Sequence, residues 1–355
     1  MAMPWRLSES LGVVVVCAAL AGGCYVSTGP GDNGRPDASD EFDVPDPPIC
    51  LVDILMVLDP KVCCESGTLS CHGDYGGCDF EAFDAQLAAG GVSGYHFGSV
   101  FAIGGPGWQD GNSTCPLYLT PGVLNGGDTF PFRCPPTLDP LQRWAEGPGE
   151  TAAAVSHCLT RFGHAVDYGG RCHPMMWEAF KVVRLATSPP LVDERNAGMF
   201  RPDALLVVVS LLPRDDLSVQ DPWVYETPPS EWPSLPGVDP AWQAWLEDVD
   251  EFVAYLEELK QGRVAVALWG GPDGVPGQVI EPDGIRNWEY VCPWTGGFSP
   301  QPRGVTVAPR FHRLLRALGS RAMFVNACEV WFRDFLPQLA EFIVRQLPAG
   351  CAPEG

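Results

Sequence analysis

Apolar runs and helical periodicities alternate along the chain from residue 50 onward. The run Leu51–Leu58 (LVDILMVL) is short and almost wholly apolar, which is typical of a strand buried on both faces of a sheet. The next periodic segment, Phe80–Ala89, carries Phe80, Phe83 and Leu87 at helical intervals and predicts an amphipathic helix. A buried strand followed by a helix is the first indication of an α/β unit.

The same alternation continues to the C-terminal end of the chain. Further strands are predicted at Tyr95–Ile103, Ala204–Leu212 and Arg263–Trp269. Further helices are predicted at Met175–Leu185, Ala241–Lys260, Arg310–Leu318 and Phe332–Gln346. Together they predict an α/β fold with a doubly wound, mostly parallel sheet flanked by helices. The stretches between them, rich in Pro, Gly and Trp, are interpreted as long loop insertions held by disulfides: 104–150, 213–240 and 270–305.

The N-terminal segment has the pattern of a secretory signal. Arg6 precedes an apolar run over 11–20 that is too short to span a bilayer, and small residues lead into Cys24. Leu20 to Cys24 (LAGGC) resembles the lipobox of bacterial lipoproteins. The resemblance implies removal of residues 1–23, acylation of Cys24 and, from Tyr25, sorting to the outer membrane. Ordinary signal-peptidase cleavage, giving a free secreted protein, is the alternative.

The segment that follows is predicted to be a flexible acidic tether. Residues 24–49 consist of Cys24 and a stretch of Gly, Pro, Asp and Ser with few apolar side chains, which cannot bury enough surface to order itself. One domain is predicted over residues 50–351, followed by a short tail over 352–355.

The net charge excludes one class of partner. The 355 residues include 44 Asp and Glu against 22 Lys and Arg, a formal charge of −22. A nucleic-acid surface needs clustered basic side chains, and electrostatic attachment to anionic lipid needs them too. We therefore expect no nucleic-acid partner, and membrane association only through the lipid anchor.

Cysteine usage predicts a disulfide-bonded domain. Of 14 cysteines, Cys17 is expected to leave with the signal peptide and Cys24 to carry lipid. An even set remains, for which an oxidising envelope predicts up to six disulfides: Cys50, Cys63, Cys64, Cys71, Cys78, Cys115, Cys134, Cys158, Cys172, Cys292, Cys328 and Cys351. The sequence leaves the connectivity open. The first pairs to test are Cys115–Cys134, Cys158–Cys172 and Cys292–Cys328.

Three segments resemble the von Willebrand factor type A (vWA) domains of bacterial lipoproteins. Val52–Asp59 (VDILMVLD) resembles their first strand, and Ser188–Val209 resembles the segment leading into their fourth sheet strand. Ala308 through Cys328, followed by Phe335 to Cys351, resembles their C-terminal helix–Cys–helix ending. The resemblance implies a vWA-like fold over most of residues 50–351.

The resemblance also implies a metal site, and the sequence departs from it. Such domains bind a protein partner through a divalent ion held by a D-x-S-x-S loop, a Thr and a further Asp. Here Asp59 is present, but Lys61 and Cys63 stand at the two serine positions, and the threonine region reads Asp167–Gly170. Pro213 stands where the metal-facing Asp of the family's D-E-D-D-C-S run is expected. We interpret the metal site as lost, with no cofactor.

No motif in the sequence predicts an active site. The segment Gly91–Tyr95 misses a nucleophile elbow at its last position. Cys63 to Cys78 lacks the paired knuckles of a zinc cluster. Asp215 and Asp216 are adjacent, and a structural turn is their expected role.

The leading hypothesis is a non-enzymatic, lipid-anchored adhesion or scaffold protein with a protein partner. Its tryptophans either form an interface or pack beneath the loops: Trp223, Trp232, Trp242, Trp245, Trp269, Trp288 and Trp294. The alternatives are an envelope hydrolase with an Asp/His site in the inserted loops, and a purely structural envelope component. His157, His164 and His173 lie in one stretch with Cys158 and Cys172, and a surface or core position is their expected role.

Overall fold

The protein is described here by a computed structural model, in which the chain divides into two compact units, Met1–Asp46 and Pro47–Gly355. The described residues are 50–58, 79–102, 121–126, 142–160, 178–212, 215–218, 220, 245–274, 304–330 and 332–351. The backbone of seven short strands is also described: Val13–Val16, Tyr25–Thr28, Trp108–Gln109, Cys172–His173, Gln278–Ile280, Arg286–Trp288 and Cys292–Pro293. No helix within these ranges is long and apolar enough to cross a membrane.

The first unit is described only by one antiparallel strand pair, Val13–Val16 with Tyr25–Thr28. The sequence did not predict these strands. The cleavage and lipidation predicted for this part of the chain stay predictions.

The second unit is built on a six-stranded sheet. Its strands are β1 Leu51–Leu58, β2 Gly94–Phe101, β3 Trp144–Gly147, β4 Leu205–Leu212, β5 Val264–Gly270 and β6 Ala322–Asn326. The described helices are α1 Phe80–Ala89, α2 Glu150–Thr160, α3 Ala179–Thr187, α4 Val249–Lys260, α5 Pro309–Leu318 and α6 Phe332–Gln346, with a 3₁₀ turn at Gly319–Arg321. Further two-stranded antiparallel pairs are Trp108–Gln109 with Cys172–His173, Gln278–Ile280 with Arg286–Trp288, and Cys292–Pro293 with Gly304–Val305.

The strand order is β3-β2-β1-β4-β5-β6, and only β3 runs antiparallel to its neighbour. This is the order of the doubly wound α/β sheets, and the predicted α/β class with a mostly parallel sheet is confirmed. The chain forms β1, β2 and β3 on one side of the sheet. It then crosses to the other side of β1 and forms β4, β5 and β6. The carboxyl ends of β1 and β4 therefore flank the topological switch point.

Helices cover both faces of the sheet. On the first face, α1, α2 and α6 pack on Ile54 and Met56 of β1. On the second face, α3, α4 and α5 pack on Leu55 and Val57 of the same strand. Because side chains alternate between two buried faces, the central strands read as continuous apolar runs.

All nine predicted elements are present, one of them shortened, whereas one helix and two strands of the six-stranded sheet were not predicted. Helix α4 was predicted from Ala241, but it begins at Val249 because the Asp248 carboxylate accepts a hydrogen bond from the backbone N–H of Asp250 and caps the helix. Trp245 therefore precedes the helix. Strand β3, which lies within the stretch 104–150 interpreted as a loop, and α2 and β6 were not predicted.

A buried disulfide joins Cys50, just before β1, to Cys351, just after α6, across a sequence separation of 301. Cys158 and Cys328 are also disulfide-bonded. The side chains of the other eight candidate cysteines lie outside the described residues. The pairings Cys115–Cys134, Cys158–Cys172 and Cys292–Cys328 therefore stay predictions.

Candidate functional site

The long insertions attach to one edge of the sheet. The five parallel strands end at the same edge, which we call the C-terminal edge. Long connections leave it: 59–79, 102–143, 213–248 and 271–308. At the opposite edge, the connections that follow α1, α4 and α5 are short, 90–93, 261–263 and 319–321, and the connection that follows α3, 188–204, is longer. In open α/β sheets, ligands bind outside the C-terminal edge at the switch point, so this edge is the candidate site.

Two neighbouring carboxylates beyond β4 hold two helices at this edge. The carboxylate of Asp215 accepts hydrogen bonds from the backbone N–H groups of Arg310 (3.1 and 3.2 Å) and Phe311 (3.2 Å), in the first turn of α5. The carboxylate of Asp216 accepts one from the backbone N–H of Phe180 (3.0 Å), in the first turn of α3. Asp215 therefore satisfies free N-terminal amides of α5, and Asp216 satisfies one of α3.

Arg310 places a cation against Asp216. The guanidinium is buried and donates to Asp216 Oδ2 (3.1 Å) and to the backbone carbonyl of Glu247 (2.6 Å). It also lies 5.4 Å from the centre of the Phe180 ring. The Ser218 hydroxyl donates to the other oxygen of Asp216 at 2.7 Å. Asp216 is thus surrounded by donors, and its charge is compensated by an arginine from α5.

The hydrogen bonds of Asp215, Asp216, Ser218 and Arg310 form one network at the C-terminal edge. The two ends of the insertion 221–244 are held together beside it. The backbone N–H of Glu247 donates to the carbonyl of Ser218 (2.8 Å), and that of Gln220 donates to the carbonyl of Trp245 (2.9 Å). The Glu247 carboxylate accepts a hydrogen bond from Arg184 of α3. The base of the insertion is therefore fixed to α3 and α5, whatever the conformation of its tip.

Burial opposes ionisation of two acids in this network. It raises the pKa of Asp215 to about 7, although the Arg310 charge and the α5 amides lower it, and the adjacent Asp216 adds to the increase. Burial also raises the pKa of Glu247, against a lowering effect of Arg184.

The described carboxylates do not fit a divalent metal. A hard cation needs several oxygen ligands directed at one point, whereas Asp215 and Asp216 already accept hydrogen bonds from amides, a hydroxyl and Arg310. Within the described residues no group of three or more His, Cys, Asp or Glu could hold a metal ion. The positions of the predicted degenerate site, Asp59, Lys61, Cys63 and Pro213, lie outside these residues, so the loss of that site stays a prediction.

A second buried ionic cluster lies near the opposite edge. Asp53 of β1 is fully buried and accepts hydrogen bonds from Arg201 N (2.7 Å), Arg201 Nε (2.8 Å) and Lys260 Nζ (3.2 Å). His96 Nδ1 donates to the carbonyl of Met199 (2.9 Å) and lies 3.9 Å from Asp53. Burial lowers the pKa of Lys260, and Asp53 opposes that effect. The cluster joins β1, the segment before β4 and the end of α4.

The cluster was not predicted from the sequence, although the sequence contains one indication of it. Asp53 interrupts an otherwise apolar run, and a buried strand tolerates a carboxylate only when cations compensate it. The cations come from Arg201 and Lys260, which are distant in sequence. Periodicity alone could not have paired them with Asp53.

One of the candidate interface tryptophans packs into the core. Trp269 of β5 is 4% exposed, and its Nε1 donates to the carbonyl of Val330 at 2.8 Å. Trp245 is half-buried beside the network described above. The side chains of Trp223, Trp232, Trp242, Trp288 and Trp294 lie outside the described residues, so their role as an interface stays a prediction.

No protein-family model matches the chain, and no match was found among curated proteins. Among solved structures, the conserved hypothetical protein BatB from Bacteroides thetaiotaomicron is 7% identical with a TM-score of 0.34, covering 83% of this chain and 98% of that chain. An aerotolerance-related membrane protein from Bacteroides fragilis NCTC 9343, with multiple mutations to serines, is 9% identical with a TM-score of 0.29, covering 84% and 99%. At these values the similarity carries no argument about function.

Proposed function

We propose that this chain is a lipid-anchored cell-envelope protein that binds a protein partner, as an adhesin or scaffold, through the C-terminal edge of a metal-independent vWA-like domain. The observation that carries the proposal is the contact of Arg310 with Asp216 at that edge. A protein side chain there compensates the acidic turn beyond β4, so that turn needs no ion to hold its shape.

The placement of the insertions supports a binding role for this edge. Loops positioned by a rigid scaffold carry recognition in many folds. Here the base of the insertion 221–244 is fixed to α3 and α5 through Ser218, Glu247 and Arg310. A fixed base lowers the ordering cost that a long loop has when it binds.

The envelope location is supported by the signal pattern ending at Cys24 and by the disulfides. A buried bridge between Cys50 and Cys351 is typical of proteins that fold in an oxidising compartment. Cys50 precedes β1 and therefore lies at the edge opposite the insertions.

A binding role fits the described acids better than catalysis does. The hydrolase alternative requires Asp215, Asp216 or a histidine to converge on one cavity. Both acids instead accept hydrogen bonds from Arg310 or from first-turn amides of α3 and α5, so the described contacts of both carboxylates are structural ones. Of the described histidines, His96 contacts Met199 near the opposite edge, and His312 contacts the carbonyl of Gly271.

Site-specific photo-crosslinking in intact cells tests the binding surface. A benzoylphenylalanine at position 232, inside the insertion 221–244, is expected to give a discrete higher-mass product. The matched control is the same residue at position 320, which is exposed at the opposite edge. Products of equal yield from both positions, or none from either, would overturn the proposed surface. The second result is the one expected of a purely structural component.

Labelling with radioactive palmitate tests the anchor. The wild-type chain is expected to incorporate label and to sediment with membranes, whereas Cys24→Ser is expected to do neither. An unlabelled wild-type chain in the soluble fraction would support the alternative of ordinary cleavage and secretion.

A further inference from the structure

The six-stranded sheet has two lateral sides, and only one of them carries features that prevent pairing with another chain. Strand β3 forms one side; it is short, carries the exposed Glu146 and is followed by Pro148. Short length, an exposed charge and a nearby proline all protect an edge strand. Strand β6 forms the other side, and its five residues include neither a charged residue nor a proline. Among the described strands β6 pairs only with β5.

Alternate residues of β6 direct their backbone groups away from β5. The N–H of Ala327, directly after the strand, donates to the carbonyl of Gly270 at the end of β5 (2.9 Å). Because the backbone groups of successive residues in a strand point to opposite sides, every second residue before Ala327 also faces β5. The residues between them face outward: Ala322, Phe324 and Asn326.

Two of the outward-facing backbone groups, one at each end of β6, are engaged within the chain. The N–H of Ala322 donates to the carbonyl of Gly319. The carbonyl of Asn326 accepts from the N–H groups of Glu329 and Val330, both at 3.0 Å. The outward groups that remain without a hydrogen-bond partner in the described part of the chain are the Ala322 carbonyl, both backbone groups of Phe324 and the Asn326 N–H.

We propose that two copies of this chain pair through β6, in antiparallel orientation, about a two-fold axis at Phe324. In this register the N–H of each Phe324 donates to the carbonyl of the other, and the N–H of Asn326 donates to the Ala322 carbonyl of the second copy. Every unpartnered group is used, and the groups already engaged within the chain lie at the two ends of the ladder. A surface that complements itself about a two-fold axis forms a closed dimer.

The side chain of Phe324 supports a second copy as the partner. Within the described residues it is the large apolar side chain that is exposed, at 37%, and its ring centre lies 4.5 Å from that of His312 on α5. In the proposed pair the two Phe324 rings lie opposite each other on one face of the joined sheet. Cross-strand aromatic pairs of this kind stabilise antiparallel strands.

The charge around β6 also permits a second copy to approach. The chain as a whole has a formal charge of −22, which opposes self-association. The segment 308–328, however, contains no Asp or Glu, and its arginines pair with acids of other elements. Repulsion is therefore weaker here than over the chain as a whole. Antiparallel pairing also brings Arg321, before the strand, towards the exposed Glu329 that follows it in the second copy.

Sedimentation equilibrium of the full chain, in density-matched detergent with micelles in excess over protein, measures the association. With increasing concentration the apparent mass of the wild type is expected to rise from that of a single chain to that of a pair. Phe324→Lys is expected to keep the mass of a single chain, because it places like charges opposite each other at the axis. Ala85→Lys, at an exposed position of α1, has the same charge change and is expected to behave as the wild type.

Two results of this experiment would overturn the inference. One is a wild-type chain that keeps the mass of a single chain throughout, as expected if β6 receives a strand from a different protein. The other is a pair that persists in Phe324→Lys, which would place the contact on another surface.

Hydrogen exchange of the wild type tests the register without a variant. The amides of Phe324 and Asn326 gain partners only in the pair, so their protection is expected to rise about tenfold between dilute and concentrated protein. The amides of Met323 and Val325 face β5 and serve as the internal control. Unchanged protection at Phe324 and Asn326 would overturn the inference even if Phe324→Lys did not fold.

The inference goes beyond the proposed function, because the pair forms along β6 and not through the insertions. Neither experiment needs another protein, so failure here is distinguishable from failure of the crosslinking experiment. A crosslinked product from position 320 with the mass of two chains would come from this pair and not from the partner proposed above.

Discussion

Arg310, in the first turn of α5, donates a hydrogen bond to the Asp216 carboxylate beyond β4 at 3.1 Å, and both side chains are buried. The contact joins the second half of the sheet to the acidic turn beside the switch point. It also gives the turn a permanent positive partner. Removing either member of such an ion pair leaves the other charge buried without a counter-charge, which is strongly destabilising.

Replacing Arg310 by methionine is expected to lower the free energy of unfolding by about 3 to 5 kcal/mol, because Asp216 would keep a buried, unpaired charge. Urea unfolding followed by circular dichroism measures the loss. Arg313→Met is the matched control on the same helix, since its partner Asp250 is largely exposed. That change should cost less than about 1 kcal/mol. Equal losses in the two variants would contradict the role given to Arg310.

The buried cluster at Asp53 gives a second prediction. Asp53→Asn keeps the shape of the side chain but leaves Lys260 and Arg201 without their counter-charge. A loss of about 3 to 5 kcal/mol in the free energy of unfolding is expected. Asp250→Asn provides the exposed comparison. If Asp53→Asn unfolds at the same urea concentration as the wild type, the cluster contributes nothing to stability.

Removing the terminal disulfide is expected to destabilise the domain. The double variant Cys50→Ser, Cys351→Ser should lose about 2 to 5 kcal/mol, because the unfolded chain is no longer closed into a loop. Peptide mapping under non-reducing conditions should first recover Cys50 linked to Cys351 from the wild-type chain. Recovery of either cysteine as a free thiol, or in another pair, would show that this connectivity is wrong.

Stability should have its maximum at mildly acidic pH. The raised pKa values of Asp215 and Glu247 mean that the folded chain gains stability as pH falls from 8 towards 5. Hydrogen bonding to Arg321 lowers the pKa of Glu257, so this partly exposed pair loses its contribution as pH falls below the ordinary glutamate range. Urea midpoints between pH 4 and pH 9 measure the profile. A maximum above pH 8 would contradict it.

The regular part of the fold could be predicted because burial on both faces leaves a clear pattern. Strand β1 and helices α1 and α6 begin and end where their apolar periodicities do. Strand β3 was missed because Trp144–Gly147 has only four residues and borders a Gly/Pro-rich stretch. Strand β6 has intermediate burial at Ala322 and Met323, an exposed Phe324 and no continuous buried run.

The candidate site could be predicted only in part. The adjacency of Asp215 and Asp216 predicted a structural turn, and both carboxylates do make structural contacts. Their partners Phe180 and Arg310 come from two distant helices, and Glu247, whose carbonyl accepts from Arg310, comes from a third segment. Only the packing of α3 and α5 on the second face brings these residues together. Pairing Cys50 with Cys351 likewise depends on where the first strand and the last helix end.

The central claim is that the C-terminal edge keeps its structure without a metal ion, and it is tested most directly by elemental analysis combined with thermal unfolding of the purified full chain. We expect no stoichiometric magnesium or calcium, and the same unfolding midpoint with chelator as with added Mg²⁺ or Ca²⁺. One equivalent of bound metal, together with a midpoint that falls when chelator is added, would contradict the account.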